Sequence, residues 1–393
     1  MRKIYLDNNA TTPLDPRVLE SMMPYLKDDF GNPSSIHSFG SRARAALDKS
    51  REEVADFINA SPREIFFTSG GSESNNFAIK GTVFGKLGKE RNHLVTTRVE
   101  HESVLEVFKY LEARGFKVTY LEVDGYGLPD TEAFKKAVTD ETLLVSCMYA
   151  NNETGTVMPV TEIAEIVKQR GAIFHTDAVQ ASGKLEIDVK KIPADLLTVS
   201  AHKFYGPKGS GALFIRDGLL RELEIATLIH GGGQERGVRS GTESVPGIVG
   251  LGTAAALAKT EMKEDEARVK ELRDRLYSEI LRRTDNVTLN GLKENTLWNT
   301  LNLSIAGVDG GSLSMSLDLE GVAVSTGSAC SEGKVDPSHV LLAMGMSKQE
   351  ASSSVRISLG RFTTKEDIDV VSEILPRAVE RIRRVAAADT SVI

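Results

Sequence analysis

Near the middle of the chain stands Ala194-Asp-Leu-Leu-Thr-Val-Ser-Ala-His-Lys203-Phe-Tyr-Gly-Pro-Lys-Gly-Ser-Gly211, an apolar run that passes into polar residues and a glycine-rich turn. The run Leu196–Val199 is typical of a buried strand, and Ser200, His202 and Lys203 follow it at once. A lysine held at a strand end suits a Schiff-base amine, because packing lowers its pKa and the rigid strand aims its nitrogen. A surface lysine that opens a loop is the simpler alternative, so the neighbouring strands must decide between the two.

Strands and helices alternate on both sides of this run. The helical patterns include Glu102–Arg114, Glu132–Val138 and Thr161–Arg170. Alternation at this spacing predicts βαβ units and a mostly parallel sheet with both faces covered, which is the α/β class. The seven predicted strands are Ile65–Phe67, His93–Val99, Lys117–Val123, Leu143–Ala150, Ala172–Asp177, Leu196–Ala201 and Ala212–Ile215.

The pattern changes towards the C-terminus. A long charged helix is predicted over Ala254–Arg283, followed by shorter strands and helices and a terminal helix over Lys365–Arg384. We therefore expect a large α/β domain over residues 15–258 and a smaller α+β domain made of residues 1–14 and 259–393. Residues 1–38 are rich in turn signals and lack a clear period, so we expect them to wrap around other elements or a partner subunit.

The composition limits the kinds of function that need be considered. Hydrophobic residues make up 40% of the 393 and charged residues 26%, as in ordinary globular proteins. The net charge of −7 is spread along the chain, so no nucleic-acid partner and no membrane is expected. Cys147 and Cys330 are the only cysteines, which allows no disulfide framework. Asp7 interrupts the N-terminal apolar run too early for a signal peptide, and we expect a cytoplasmic protein.

Polar side chains follow four of the predicted strands. They are His101, then Asn151 and Asn152, then Asp177 and Gln180, and finally Ser200, His202 and Lys203. Ligands in open parallel sheets bind outside the carboxyl ends of the strands, so these groups should lie together. A single histidine in such a place is more often a structural hydrogen-bonding residue than a catalyst. An imidazole, an amide, a carboxylate and an amine delivered to one edge indicate a binding site.

These groups match the ring of pyridoxal 5'-phosphate (PLP). A buried carboxylate such as Asp177 would keep the pyridine nitrogen protonated, which the cofactor needs in order to accept electrons. Asn152 and Gln180 are candidate donors to the phenolic oxygen, and His101 could stack on the ring and move a proton. The phosphate needs several donors, and the helix that opens at Gly70-Gly71-Ser72 offers free N–H groups, with Ser200 and His202 nearby.

Two further residues, outside the large sheet, are candidates for substrate binding and sulfur chemistry. Arg356 lies in a predicted strand of the smaller domain, where its guanidinium could bind an amino-acid carboxylate or simply face solvent. Cys330 stands among small residues in Ser325-Thr-Gly-Ser-Ala-Cys-Ser-Glu-Gly333, which suits an accessible nucleophilic thiol. Cys147, inside an apolar strand, is interpreted as a core residue without a catalytic role.

Taken together, these motifs resemble the cysteine desulfurase family, the nitrogen-fixation and iron–sulfur-cluster types within the class V aminotransferases. The resemblance runs nearly end to end and rests on Asp7-Asn-Asn-Ala-Thr-Thr-Pro13, Phe30-Gly-Asn-Pro-Ser34, Thr68-Ser-Gly-Gly-Ser-Glu-Ser74, Val99-Glu-His101, Asn151-Asn-Glu-Thr-Gly155, Asp177-Ala-Val-Gln180, Ser200-Ala-His-Lys203, Gly231-Gly-Gly-Gln-Glu-Arg236, Arg239-Ser-Gly-Thr242, Gly327-Ser-Ala-Cys330 and Arg356.

The resemblance implies a fold-type-I PLP enzyme that forms a homodimer and converts L-cysteine to L-alanine. It makes Lys203 the covalent attachment point, Cys330 the persulfide carrier and Arg356, with Asn152, the substrate-binding pair. The other implied cofactor contacts are Gly71, Ser72, His101, Asn152, Asp177, Gln180, Ser200, His202 and, across the dimer, Thr242. It also implies a sulfur acceptor such as an iron–sulfur scaffold protein. No metal site is expected, although Cys330 could act as a transient iron–sulfur ligand shared with the scaffold.

Three alternatives remain open from the sequence. A selenocysteine lyase or another PLP-dependent lyase would use the same cofactor site, and assays with cysteine and selenocysteine would separate them. A cysteine hydrolase pairing Cys330 with a histidine would need no PLP. A non-enzymatic sulfur relay would need no cofactor lysine, so reductive trapping of PLP on Lys203 would exclude it.

Overall fold

The computed structural model describes residues 2–326 and 337–390, together with two short strands at Cys330–Ser331 and Lys334–Val335. Its central feature is a seven-stranded sheet. The strands are β2 (Ile65–Thr68), β3 (His93–Thr97), β4 (Lys117–Leu121), β5 (Thr142–Ser146), β6 (Ile173–Asp177), β7 (Leu196–Ser200) and β8 (Gly211–Ile215). Their order across the sheet is β2-β8-β7-β6-β5-β3-β4. All neighbours are parallel except β8, which runs antiparallel to β2 and β7. The predicted mostly parallel sheet is confirmed.

Successive side chains of the strands pack on opposite faces of the sheet, as the two-residue period of a strand requires. Phe66 and Leu94 join a core cluster on one face with helices α3 (Gly71–Val83) and α4 (Glu102–Glu112), whereas Phe67 and Val95 pack on the other face. Both faces are thus covered, which explains why these strands are apolar throughout. The helices of this part are α1 (Pro16–Lys27), α2 (Ser38–Phe57), α3 (Gly71–Val83), α4 (Glu102–Glu112), α5 (Thr131–Ala137), α6 (Val160–Gln169) and α7 (Leu219–Glu222).

The 39-residue helix α8 (Val245–Arg283) joins two hydrophobic cores. Its first half packs Leu251 with α2 and the sheet, and its second half packs Leu276 into a separate cluster. That second cluster is built on the antiparallel strands β10 (Thr300–Ile305), β14 (Ser354–Ser358) and β9 (Val287–Leu289), and on helices α9 (Gly310–Leu319) and α12 (Lys365–Thr390). Strand β1 (Ile4–Tyr5) pairs with β11 (Val322–Ala323) beside it.

The remaining elements follow β11. Strands β12 (Cys330–Ser331) and β13 (Lys334–Val335) pair antiparallel, and the short helices α10 (His339–Ala343) and α11 (Lys348–Ser352) come next. Leu341 of α10 packs in a core cluster of the seven-stranded sheet, together with Met148. The division at residue 258 stays a prediction. None of the helices in the described residues is both long enough and apolar enough to span a membrane.

Two helices differ from the sequence-based expectation. Helix α1 lies inside residues 1–38, where the sequence shows turn signals and no clear helical period. The Asp15 side chain caps it by accepting from the Arg17 N–H, and Pro16 supplies a preset backbone angle at the first turn. Helix α8 begins at Val245 rather than Ala254, since the glycines in its first turns sit where the chain packs closely and do not interrupt it.

Candidate active site

A cavity of about 320 Å³ lies at the carboxyl ends of β3, β5, β6 and β7. The alternating βα connections bring polar residues from four strand ends to this one edge. Its walls contain most of the residues predicted from the sequence. The lining residues are Ala10, Gly71, Ser72, Asn75, His101, Ser103, Met148, Ala150, Asn152, Asp177, Val179, Gln180, Ser200, His202 and Lys203.

Lys203 is at the end of a single turn of 3₁₀ helix that directly follows β7. Its Nζ donates to the backbone carbonyls of Asn9 at 2.6 Å and Ala10 at 2.8 Å. Burial, together with the nearby Arg356 cation, lowers the pKa of this amine to about 8, although Asp177 and Asp7 oppose the shift. Lys203 therefore offers both a charged and a neutral amine near neutral pH.

Asp177 ends β6 and is 5% exposed. Its carboxylate accepts from the Asn75 side chain at 2.7 Å and from the Val179 N–H at 3.0 Å, which hold it in place facing the cavity. Asn75 also donates to Ser103 at 2.8 Å. Sequence reasoning missed Asn75, because a polar residue within a helix gives no sign that it supports a carboxylate on a distant strand.

His101 caps the N-terminus of α4. Its Nδ1 accepts from the Ser103 N–H at 3.1 Å and lies 2.9 Å from the Ser103 hydroxyl. In the neutral ring this contact places the hydrogen on Nε2. Desolvation lowers the pKa of His101, although the charge of Asp177 opposes it. The ring is therefore neutral near pH 7, with one nitrogen fixed by the backbone.

One end of the cavity is suited to an anion. Helix α3 begins at Gly71, and its Gly70 N-cap provides no side-chain partner for the first N–H groups. A Cβ on Gly71 would lie only 3.0 Å from a Val179 methyl, so a larger residue would crowd this turn. Ser200 Oγ is buried and has no partner among the described residues. His202 contacts the Thr11 hydroxyl at 3.2 Å, and burial lowers its pKa to about 4.

These groups fit PLP. The cavity combines an anion-binding helix end, a buried carboxylate and a low-pKa amine, which are the features that a phosphate, a pyridinium and an aldehyde require. The unpartnered Ser200 hydroxyl is a ready donor. Gln180 differs in one detail, because its Nε2 already donates to the Asn9 carbonyl at 2.7 Å and its unpartnered atom is the acceptor Oε1.

Arg356 lies on β14 and is 6% exposed. It does not line the cavity, but its guanidinium donates to the Asn152 carbonyl at 3.1 Å and pairs with Asp7 at 2.8 Å. Its Nε is buried without a partner in the described part of the chain. The structure thus brings Arg356 to the loop that carries Asn152, with hydrogen-bonding capacity to spare.

Asn9 connects these groups, although sequence reasoning assigned it no role. Its carbonyl accepts from both Lys203 Nζ and Gln180 Nε2, while its Nδ2 donates to the Asn152 carbonyl at 3.2 Å and to the Thr300 hydroxyl at 2.8 Å. Asn9 therefore contacts Lys203, the backbone of Asn152 and Thr300 of β10. Its place in a turn motif was the only available signal.

The other predictions concern Thr242 and the two cysteines, and Thr242 is not among the residues that line the cavity. Thr242 is exposed, in the region of the chain expected to reach a second subunit. The side chain of Cys330 lies outside the described residues; its backbone pairs with Val335. Cys147 is buried in a core cluster, where desolvation raises the pKa of its thiol well above the usual value, in keeping with a packing role.

The fold and this cavity indicate a PLP-dependent enzyme, and comparison with known proteins supports this class. Residues 4–371 match the family described as aminotransferase class-V. A NifS-like protein of known structure has a TM-score of 0.88 at 40% identity, and the match covers 98% of this chain and 100% of that one. A structure described as SspA in complex with cysteine has a TM-score of 0.81 at 39% identity, covering 92% and 100%.

Curated relatives within this family are cysteine desulfurases. A cysteine desulfurase IscS of Clostridium botulinum is 49% identical over 387 residues, covering 98% of this chain and 96% of the relative. A cysteine desulfurase IscS of Methanosarcina thermophila is 46% identical over 385 residues, covering 98% and 94%. The chain belongs to the cysteine desulfurases of the class-V aminotransferase family, and enzymes of this family depend on PLP.

Proposed function

We propose that this protein is a PLP-dependent cysteine desulfurase that converts L-cysteine to L-alanine and passes the sulfur through Cys330 to an acceptor. The observation that carries the proposal is the meeting of Lys203, Asp177 and the α3 N-terminus in one cavity, in a chain of this family. The names of the curated relatives support iron–sulfur cluster assembly as the destination of the sulfur.

The cofactor would be held at three points. The first N–H groups of α3, with Ser200 and His202, would bind the phosphate, and Lys203 would attach the aldehyde carbon. Asp177 would hold a proton on the pyridine nitrogen, because a buried carboxylate favours the cation. When bound, PLP supplies an electron sink for the charge that develops at the substrate α-carbon.

The protein's own residues would handle the proton and the substrate carboxylate. Lys203, with a pKa of about 8, can accept the α-proton at Nζ and return a proton later without a large energetic cost. His101 is neutral, with a hydrogen on Nε2, and is placed to assist that transfer. Arg356 keeps a free Nε–H and could bind the carboxylate by sharing or exchanging its contact with Asp7.

Sulfur transfer would then occur at Cys330. Its thiolate attacks the sulfur of the substrate, so a sulfur–sulfur bond forms as the carbon–sulfur bond breaks. The electron pair of the broken bond stays with the three-carbon fragment, which takes up protons and leaves as alanine. One thiol and one cysteine thus give one persulfide and one alanine, with no external oxidant or reductant.

We also propose that the protein is a homodimer in the cytoplasm. Apolar side chains near the start of α2 are exposed in the single chain, with Phe30 73% and Ile36 100% accessible. Thr242 is also exposed, as a residue that serves a second subunit would be. Exposed apolar side chains that lie together favour burial against another subunit. Sedimentation at several protein concentrations should give the mass of two chains.

The decisive experiment compares two variants and one matched control. Lys203→Ala should lose alanine formation, while Cys330→Ser should bind PLP and cysteine yet form no persulfide. Cys147→Ser changes the only other cysteine and should form alanine and persulfide at the wild-type rate. Borohydride followed by peptide mapping should find PLP on Lys203 and not on the neighbouring Lys208. Persulfide formation at the wild-type rate in Cys330→Ser would overturn the thiol's role, and faster turnover of selenocysteine than cysteine would make the protein a selenocysteine lyase.

A further inference from the structure

Two hydrogen bonds fasten the chain that follows the Cys330 region to the loops of the active site. The Ser338 hydroxyl donates to the Glu153 carboxylate at 2.5 Å, and His339 Nε2 lies 3.0 Å from the Glu100 carbonyl. Glu153 directly follows Asn152, and Glu100 directly precedes His101. The fastening points are therefore each one residue away from a residue that lines the cavity.

Ser338 is also the N-cap residue of helix α10. Its oxygen accepts from the Leu341 N–H at 3.2 Å and so caps α10, while its only hydrogen goes to Glu153. Leu341 is fully buried in a core cluster of the large sheet. The helix that follows the Cys330 region is thus docked on the large sheet and not on the smaller core.

The other end of this region is attached to β14. Ser325 and Arg356 exchange backbone hydrogen bonds, at 3.1 Å from the Ser325 N–H and 2.7 Å from the Arg356 N–H. The chain on either side of Cys330 is therefore held at one end beside the proposed substrate-carboxylate residue and at the other beside the cofactor loops. Both attachments flank the place where the substrate would lie.

Glu153 is itself rigidly placed. Its N–H donates to the Asn151 side chain at 2.9 Å and its carbonyl accepts from the Asn302 side chain at 3.3 Å. Burial raises the pKa of Glu153 to about 7, although the Ser338 hydrogen bond and the Arg356 charge lower it. A hydroxyl alone suffices to cap a helix, as Ser338 shows at Leu341, so capping does not explain a buried carboxyl that is costly to desolvate.

From this geometry we infer that Glu153 and Ser338 are positioning residues for sulfur transfer, which set where the chain carrying Cys330 is anchored relative to the bound substrate. The inference rests on the proposed function and assigns neither residue any contact with substrate or cofactor. Because a misplacement of about 1 Å can slow a reaction about a hundredfold, loss of this anchor should affect the transfer step and not cysteine binding.

The test uses the PLP-loaded protein and three variants. Ser338→Ala removes the contact, Ser338→Thr keeps the hydroxyl, and Glu153→Gln keeps the size but removes the carboxylate. Ser347→Ala is the matched control, since Ser347 caps α11 and donates to Glu350 at 2.7 Å in the same pattern on the exposed surface. Persulfide on Cys330 is followed by mass spectrometry in a single turnover, and the Kd for cysteine by spectral titration.

We expect Ser338→Ala and Glu153→Gln to slow persulfide formation about tenfold or more, with the Kd for cysteine within about twofold of wild type. Ser338→Thr should recover most of the rate, and Ser347→Ala should retain it. The inference is overturned if Ser338→Ala forms persulfide as fast as Ser347→Ala. It is also overturned if the Kd of Ser338→Ala for cysteine rises by the same factor as its rate of persulfide formation falls. Should Ser338→Ala fail to fold, Glu153→Gln and Ser338→Thr still decide it. Absence of persulfide in the wild-type protein would instead overturn the proposed function.

Discussion

The lowered pKa of Lys203 predicts how fast the cofactor-free protein captures PLP at each pH. Only the neutral amine attacks the aldehyde. With a pKa of about 8, about a fifth of the Lys203 amines are neutral at about pH 7.4, against about one in a thousand at the ordinary value of 10.5. The protein should therefore capture PLP about two hundred times faster at this pH than an unperturbed lysine of equal reactivity would.

The assay mixes cofactor-free protein with excess PLP from pH 6.5 to 10 and follows the absorbance of the adduct, with borohydride trapping to confirm the site. The rate should rise about tenfold per pH unit below pH 8 and level off above it. Arg356→Gln removes a cation that lowers the pKa of Lys203, so its plateau should begin at a higher pH. A rate that still rises tenfold per unit between pH 9 and 10 in the wild type would refute the lowered pKa.

Three further outcomes are expected. Asp177→Asn should keep PLP on Lys203, as borohydride trapping can show, while alanine formation falls about a hundredfold because the pyridinium loses its counter-charge. Glu100→Gln should change the pH dependence of stability, because burial raises the pKa of Glu100 from 4.5 to about 8. The free energy of unfolding of the wild-type protein should fall by up to about 5 kcal/mol as the pH rises from 4.5 to 8, and the variant should not show this fall. Urea unfolding at several pH values measures this, and parallel curves for the two proteins would contradict it. Cys147→Ala should form persulfide on Cys330 at the wild-type rate but unfold about 1 kcal/mol more easily, since a small buried side chain is lost.

The large sheet could be predicted because its strands carry a strong local signal. A strand buried on both faces must be apolar along its whole length, and each such run here ends in a turn. The parallel order then places every strand's carboxyl end at one edge, so Asp177 and Lys203 could be assigned to one site although 25 residues separate them.

The supporting contacts could not be predicted because nothing local distinguishes them. Asn75 supports Asp177 from a helix about a hundred residues earlier, and Asn9 reaches Lys203 from the N-terminus. Asparagine is common in turns and helices, and only the folded chain shows that the Asn75 side-chain amide donates to Asp177 and that the Asn9 carbonyl accepts from Lys203. Helix α1 was missed for a related reason, since the capping residues Asp15 and Pro16 also signal a turn.

The charge of Arg356 links substrate binding to the reactivity of Lys203. In the substrate-free protein the guanidinium lowers the pKa of the lysine, which favours the neutral amine needed to attach the cofactor. A substrate carboxylate bound to Arg356 would cancel much of that charge, so the pKa of Lys203 would rise when the substrate arrives. An amine with a higher pKa is a stronger base, and this is the moment at which Lys203 must take the α-proton. The same arginine would thus favour the nucleophile before substrate binds and the base afterwards.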